Sequence, residues 1–191
     1  MLLKDKVVIV SGIGPGLGIK LAVEAAREGA RAVVCAARTP EKLDAAESAI
    51  REIGANCAVL KVKQFGCIDA LLNSAFEHGN FEPVETAHLE TWLKIYNTNV
   101  IGTLQLSQQV IRHMKESGHG GAIVMINTMA TRKPYHGEGG YAASKGAQEV
   151  AVKYLAKEVG KYGIRVNSAF MGWMWGVPVQ QGIKMMAKMQ K

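Results

Sequence analysis

The stretch that most limits what this chain can become lies near its N-terminus. Val7-Val8-Ile9-Val10 is a continuous β-branched run, and Ser11-Gly12-Ile13-Gly14-Pro15-Gly16-Leu17-Gly18 follows it at once. A helical pattern then passes through Leu21, Ala22, Ala25 and Ala26 and stops at Gly29. A short apolar run without alternation suits a strand buried on both faces of a parallel sheet. A glycine-rich turn from such a strand into a helix lets backbone N–H groups approach a diphosphate, and the helix N-terminus adds partial positive charge. Strand before and helix after are the context that mechanism requires. The same residues also read as a plain tight turn.

The rest of the chain repeats the alternation. Ala32–Ala36 reads as a second strand, followed by Ala37-Arg38-Thr39-Pro40 and a helix from about Glu41 to Ile53. Ala58–Val62 reads as strand three, and Ile68–Leu72 as strand four, running into Asn73-Ser74-Ala75. One helical pattern spans Leu89 to Ser117. Ala122–Ile126 is strand five, ending at Asn127-Thr128; a helix runs from Tyr141 to about Tyr162, and Ile164–Phe170 is strand six. A loop rich in Trp and Met, Met171 to Val177, leads to a helical stretch from Val179 to Gln190. Strands alternating with helices predict a single α/β domain: a Rossmann-like doubly wound parallel sheet with helices on both faces, in three layers. In such a fold the residues after strand two face the adenosine ribose. Arg38 stands there with no acid beside it, which favours the 2′-phosphate of NADP(H) and leaves NAD(H) as the alternative. Arg38 also reads as a solvated loop charge.

Tyr141 and Lys145 are four residues apart, so a helix sets them on one face. A free phenol ionises near 10, too high for proton exchange at neutral pH. An ammonium about 4 Å away, at an effective dielectric near 20, favours the phenolate by roughly 4 kcal/mol. That is about three pKa units, so the spacing predicts a tyrosine brought close to 7. Taken alone, the pair also reads as an ordinary exposed helix start.

Composition narrows the classes. The chain of 191 residues is 48% hydrophobic and 20% charged, enough for one domain with a substantial core. No apolar run approaches the roughly 18 residues of a membrane-spanning helix. The net charge of +7 invites a nucleic-acid reading, but the basic residues are scattered among acids and densest only at Lys184, Lys188 and Lys191. No basic patch interleaved with aromatics appears, so no nucleic-acid partner is expected. Cys35, Cys57 and Cys67 lack metal-like spacing, and no metal is expected. Their odd number suits a reducing compartment, hence a cytoplasmic location.

With these residues in place, the chain resembles the short-chain dehydrogenase/reductase family over essentially its whole length. Ser11-Gly12, then Gly16-Leu17-Gly18, resembles the family's cofactor turn, in which Gly14 and Pro15 also lie. Asn73-Ser74-Ala75-Phe76 is similar to the Asn-Asn-Ala-Gly segment after strand four, with Phe76 for Gly. Asn99 resembles the family's active-site Asn, and Thr128, thirteen residues before Tyr141, stands where Ser is usual. Tyr141 with Lys145 matches the family's Tyr/Lys pair, and Met171-Gly172 replaces a Pro-Gly turn.

The resemblance implies reversible hydride transfer between a nicotinamide and an alcohol or ketone. It implies Tyr141 as acid and base, Lys145 as its partner and a hold on the nicotinamide ribose, and Thr128 as the group orienting the substrate oxygen. Asn99 would hold a water relaying protons toward Lys145. Ser11, Gly12, Gly14, Pro15, Gly16, Leu17, Gly18, Arg38, Thr39, Asn73, Ser74, Ala75, Met171 and Gly172 would surround the cofactor. Tyr135, His136 and Trp173 would border the substrate; Met174, Trp175, Met185, Met186 and Met189 join them in a wall suited to a bulky apolar or cyclic compound. A homo-oligomer, dimer or tetramer, is also implied. Two other classes compete: a nicotinamide-binding protein that has lost catalysis and serves as sensor or scaffold, and a nucleic-acid binder.

One spacing conflicts with this fold. In the order 3-2-1-4, strand four lies about three spacings, roughly 14 Å, from strand three, and the chain must also return along the sheet. Lys63 to Cys67 can span at most about 18 Å, less than a crossover needs. Residues 1–191 are therefore expected to form one NAD(P)-binding domain lacking a crossover near Val62-Lys63, and lacking the C-terminal lid and last strand that relatives carry.

Overall fold

The computed structural model describes residues 1–53, 57–58, 67–176, 179–180 and 183. Strands β1 (Val7–Ser11), β2 (Ala32–Ala36), β3 (Cys57–Ala58), β4 (Ala70–Asn73), β5 (Gly121–Thr128) and β6 (Ile164–Met171) form one six-stranded sheet in the order β3-β2-β1-β4-β5-β6. Every pairing is parallel. The helices are α1 (Leu17–Arg27), α2 (Pro40–Arg51), α3 (Leu89–Tyr96), α4 (Thr103–Ser117) and α5 (Gly139–Val159).

The period of two along β1 divides the core between the sheet's faces. Val7 and Ile9 join Leu71, Ile123, Met125, Val110, Met114 and Val152 beneath α4 and α5. Val8 and Val10 join Val33, Cys35, Ala22, Ala25, Ala46 and Ile50 beneath α1 and α2. These four of the five β1 residues are at most 5% exposed, as a doubly covered central strand requires. On the second face α1 presents alanines to the sheet, so small side chains form most of its buried stripe.

The helical pattern from Leu89 to Ser117 is not one α-helix. A π-helical segment, Asn97–Gly102, separates α3 from α4 and carries Asn99, which is fully buried. Single π turns inside α-helices are rare and occur mostly at functional sites. The remaining element bounds differ from the sequence reading by a few residues. Strand three beyond Ala58, the short connection near Val62-Lys63, the helix expected from Val179 to Gln190 and the side chains of Met185, Met186, Met189, Lys184, Lys188 and Lys191 lie wholly or mainly outside the described residues.

Candidate active site

The register aligns the C-terminal ends of the strands. Ser11 pairs with Asn73, Asn73 with Met125, and Met125 with Ser168. Beyond that row β5 and β6 continue together to the pair Thr128 and Met171. A cavity of about 830 Å³ opens over these ends, at the point where the strand order reverses between β1 and β4. It is lined by the whole turn from Ser11 to Gly18, by Arg38 and Thr39 after β2, and by Asn73 to Phe76 after β4. Asn127, Thr128, Tyr141, Lys145, Met171 and Gly172 complete the opposite wall.

The glycine turn is shaped by close approach. Gly12 has φ +90°, and a Cβ there would lie 2.2 Å from the Ala75 nitrogen. A Cβ on Gly18 would lie 2.2 Å from the Gly12 carbonyl oxygen. Gly14 and Gly16 face open space. The N-terminus of α1 has no side-chain cap and no acid in its first turn, which suits an anion there; of its N–H groups, that of Ile19 donates to the Gly14 carbonyl at 3.3 Å. Lys20, Arg38, Lys42 and Lys145 line the cavity, and none of its described lining residues is Asp or Glu. These features fit a nicotinamide dinucleotide with its diphosphate at the turn. Lys20 and Lys42 were not singled out by the sequence reading, because a lysine in the first turn of a surface helix carries no distinguishing pattern.

Tyr141 and Thr128 line the same cavity. The Thr128 Oγ1 accepts from the Ala130 N–H at 3.2 Å. Around Tyr141 the His78 ring stacks at 4.6 Å between centroids, and Phe76 lies tilted at 6.1 Å. His78 Nε2 is 3.7 Å from a Glu138 carboxylate oxygen. Burial pushes the Tyr141 phenol above its ordinary value; the nearby Thr128 hydroxyl works against this, and the Glu138 carboxylate adds to it. The expectation of a tyrosine brought near 7 by Lys145 is thus corrected. The lysine ammonium donates elsewhere, to the Ile126 carbonyl at 2.7 Å and to Gln148 Oε1 at 3.2 Å. Lys145 is 2% exposed, and burial lowers it to about 8.

Asn99 ties the site together from below. Its Oδ1 accepts from the Glu77 N–H at 2.7 Å, and its Nδ2 donates to the Glu77 carbonyl at 2.9 Å and to Ser144 Oγ at 2.9 Å. Its backbone carbonyl accepts from Thr103 Oγ1 at 2.7 Å and from Gln148 Nε2 at 2.8 Å. The Asn73 side chain also turns inward, donating to Ser107 Oγ at 3.1 Å. Tyr135 and Trp173 meet edge to face at 6.2 Å outside the cavity lining, and His136 is exposed. From the Trp/Met loop, Met174 and Trp175 line the cavity. Gln148 was missed in the sequence; its signal was a polar residue one helical turn beyond Lys145. Among the described residues no group of three or more His, Cys, Asp or Glu is arranged to hold a metal.

Sheet order, glycine turn and the Tyr141/Lys145 face together define a dinucleotide-binding oxidoreductase of the Rossmann type. The family model described as short chain dehydrogenase matches residues 58–185, and the chain belongs to that family. Levodione reductase from Leifsonia aquatica is 28% identical over 200 residues, covering 94% of this chain and 73% of the relative. L-rhamnose 1-dehydrogenase (NAD(P)(+)) from Azotobacter vinelandii is 32% identical over 191 residues, covering 90% and 74%. The crystal structure of an NAD+-bound xylitol dehydrogenase superposes with a TM-score of 0.90 at 28% identity, covering 97% of this chain and 77% of the other. The protein is thus a short-chain oxidoreductase acting on alcohol or ketone groups with a nicotinamide cofactor.

Proposed function

We propose that this protein moves a hydride between NADP(H) and a bulky apolar or cyclic alcohol or ketone. The observation that carries the reading is the convergence of Thr128, Tyr141 and Lys145 on the cavity that the glycine turn floors. A bound nicotinamide supplies the hydride donor or acceptor. In ketone reduction the Tyr141 hydroxyl gives its proton to the substrate oxygen; in alcohol oxidation the phenolate takes it. The Thr128 hydroxyl, its oxygen held by the Ala130 N–H, orients that oxygen. Lys145, with two donors engaged and a third left over, holds the nicotinamide ribose. The backbone of Gly12, Gly14, Gly16 and Gly18 receives the diphosphate, with Ser11, Pro15 and Leu17 completing the turn. Thr39, Asn73, Ser74, Ala75, Met171 and Gly172 flank the cofactor.

Arg38 after β2, Lys42 on α2 and Lys20 on α1, with no carboxylate among the described lining residues, support NADP(H) over NAD(H). Phe76, Met174 and Trp175 support an apolar substrate, and Tyr135, His136 and Trp173 are assigned to its outer rim. Val150 and Tyr154 are 53% and 66% exposed one turn apart on α5, an apolar strip suited to a homo-oligomer. The odd, unclustered cysteines favour a reducing, cytoplasmic location.

The test is to titrate NADPH and NADH into wild type and Arg38→Ala, then to assay cyclic and long-chain ketones and alcohols with the preferred cofactor. NADPH should bind more tightly, with the preference reduced roughly tenfold in the variant. An NADH preference that survives the substitution would overturn the cofactor assignment. Turnover restricted to small acids would overturn the substrate class.

A further inference from the structure

Tyr141 enters α5 with little support from its own helix. Gly139 and Gly140 precede it and Ala142 and Ala143 follow, so no side chain beside it is longer than a methyl. The side chains one turn further on have other partners. Ser144 Oγ donates to the Tyr141 carbonyl at 2.7 Å, and Lys145 Nζ donates to the Ile126 carbonyl and to Gln148. The phenol ring is met instead from outside the helix, by His78 at 4.6 Å between centroids.

His78 lies in a connection held at both ends. At Glu77, the Asn99 side chain accepts from the backbone N–H at 2.7 Å and donates to the carbonyl at 2.9 Å. At Glu82, the backbone N–H donates to the Gly137 carbonyl at 3.1 Å. Between these anchors the imidazole stacks on Tyr141, meets the Phe81 ring at 4.5 Å and turns Nε2 toward the Glu138 carboxylate at 3.7 Å. Its Nδ1 is buried, with no hydrogen-bond partner among the described residues. These surroundings select one tautomer. A proton on Nε2 faces the carboxylate; a proton on Nδ1 would be a buried donor without an acceptor, and would leave the Nε2 lone pair against an anion. Glu138 stands at the N-cap of α5, three residues before Tyr141, so one helix start carries both the phenol and the group that aims the imidazole.

We propose that His78 is a positioning residue: aimed by Glu138 and stacked on Tyr141, its imidazole fixes the phenol ring so that the hydroxyl stays at the cavity. Tyr141 lines that cavity and His78 does not, so the imidazole acts through the ring and not on the reacting atoms. Limiting the ring's rotation fixes the point from which the proton is given or taken, and proton transfer is sensitive to that placement. This role rests on the hydride-transfer reading only for its effect on turnover; the stack stands without it.

The test pairs kinetics with NMR of tyrosine-labelled protein. His78→Leu keeps bulk and removes the flat ring; His78→Phe keeps the flat ring. With NADPH and the cyclic ketone that wild type reduces fastest, His78→Leu should lower kcat roughly tenfold or more while the NADPH dissociation constant stays within about twofold. His78→Phe should recover most of that loss. Glu138→Leu should lower kcat in the same direction, and Glu138→Gln, whose amide oxygen still accepts from Nε2–H, should not. Wild-type kcat in His78→Leu, or His78→Phe no faster than His78→Leu, overturns the role of His78; wild-type kcat in Glu138→Leu overturns that of Glu138. A measurement on the cofactor-free protein needs no change at His78. The Tyr141 ring signals, assigned from their loss in Tyr141→Phe, should lie upfield of those of free tyrosine, because a stacked ring shields them. Ordinary positions overturn the proposal. The two readings stay apart: if wild type turns over no alcohol or ketone, the hydride-transfer reading fails, while the ring signals still decide whether His78 holds Tyr141.

Discussion

The imidazole of His78 stacks on the phenol of Tyr141, with centroids 4.6 Å apart and planes inclined by 26°. The stack covers one face of the ring and contributes to the burial that raises the phenol's pKa. Tyr141 is therefore held in its protonated form at neutral pH, the form that donates in ketone reduction. With a raised pKa the phenolate fraction grows tenfold per pH unit until the pKa is passed. In the cofactor-free protein the absorbance difference between wild type and Tyr141→Phe should show a phenol ionising above the ordinary value near 10. Alcohol oxidation should climb through the alkaline range, while ketone reduction stays level across neutrality. An ionisation near 7 in the free protein would show that a charge offsets the burial.

Removing the hydroxyl itself separates chemistry from binding. Tyr141→Phe should lower turnover by a factor of roughly 10² or more, because a positioned proton donor is lost. The dissociation constant for the cofactor should stay within about twofold, since the phenol chiefly faces the substrate. Steady-state kinetics and a fluorescence titration measure the two effects. Near-normal turnover would mean another group carries the proton.

Lys145 makes stability depend on pH in a defined window. Burial holds it at about 8 in the folded chain against 10.5 when unfolded. Between those values the unfolded chain binds the extra proton, so the cost of burying the charge is complete below the folded pKa and disappears above the unfolded one. Wild type should gain up to about 3 kcal/mol relative to Lys145→Met as pH rises across that window. Urea unfolding of both proteins at about pH 7 and about pH 10 measures it. A constant difference would contradict the lowered pKa.

Gly12→Ala tests the turn. The new methyl would fall 2.2 Å from the Ala75 nitrogen, at a φ of +90° that side chains avoid. Several kcal/mol of destabilisation is expected, roughly 1–3 from the backbone conformation alone and more from the clash. Thermal unfolding should shift sharply, whereas Gly14→Ala, which meets open space, should leave stability nearly unchanged and weaken only cofactor binding. Equal melting of the two variants would be inconsistent with the close approach.

What was legible in the sequence was what repeats or has no alternative. The β-branched run at Val7–Val10 and the glycines after it could form only a buried strand and a close turn, and the sheet order followed. The Tyr141/Lys145 spacing set both residues at one cavity. The spacing did not determine where the lysine's donors would go, because that depends on the Ile126 carbonyl and on Gln148. The π segment was illegible for a related reason: over six residues its apolar rhythm is too close to that of an α-helix to be distinguished.

That segment also sets a phase. Each residue in an α-helix advances the chain by about 100° around the axis. Deleting one residue from Asn97–Gly102 would restore an ordinary helix and turn everything after it by that angle. Ser107, Val110 and Met114, all buried on α4, would rotate away from the sheet, while Asn99 kept its bonds to Glu77 and Ser144. The extra residue works like a splice between two screws of the same thread, letting one helix serve the cavity at one end and the core at the other.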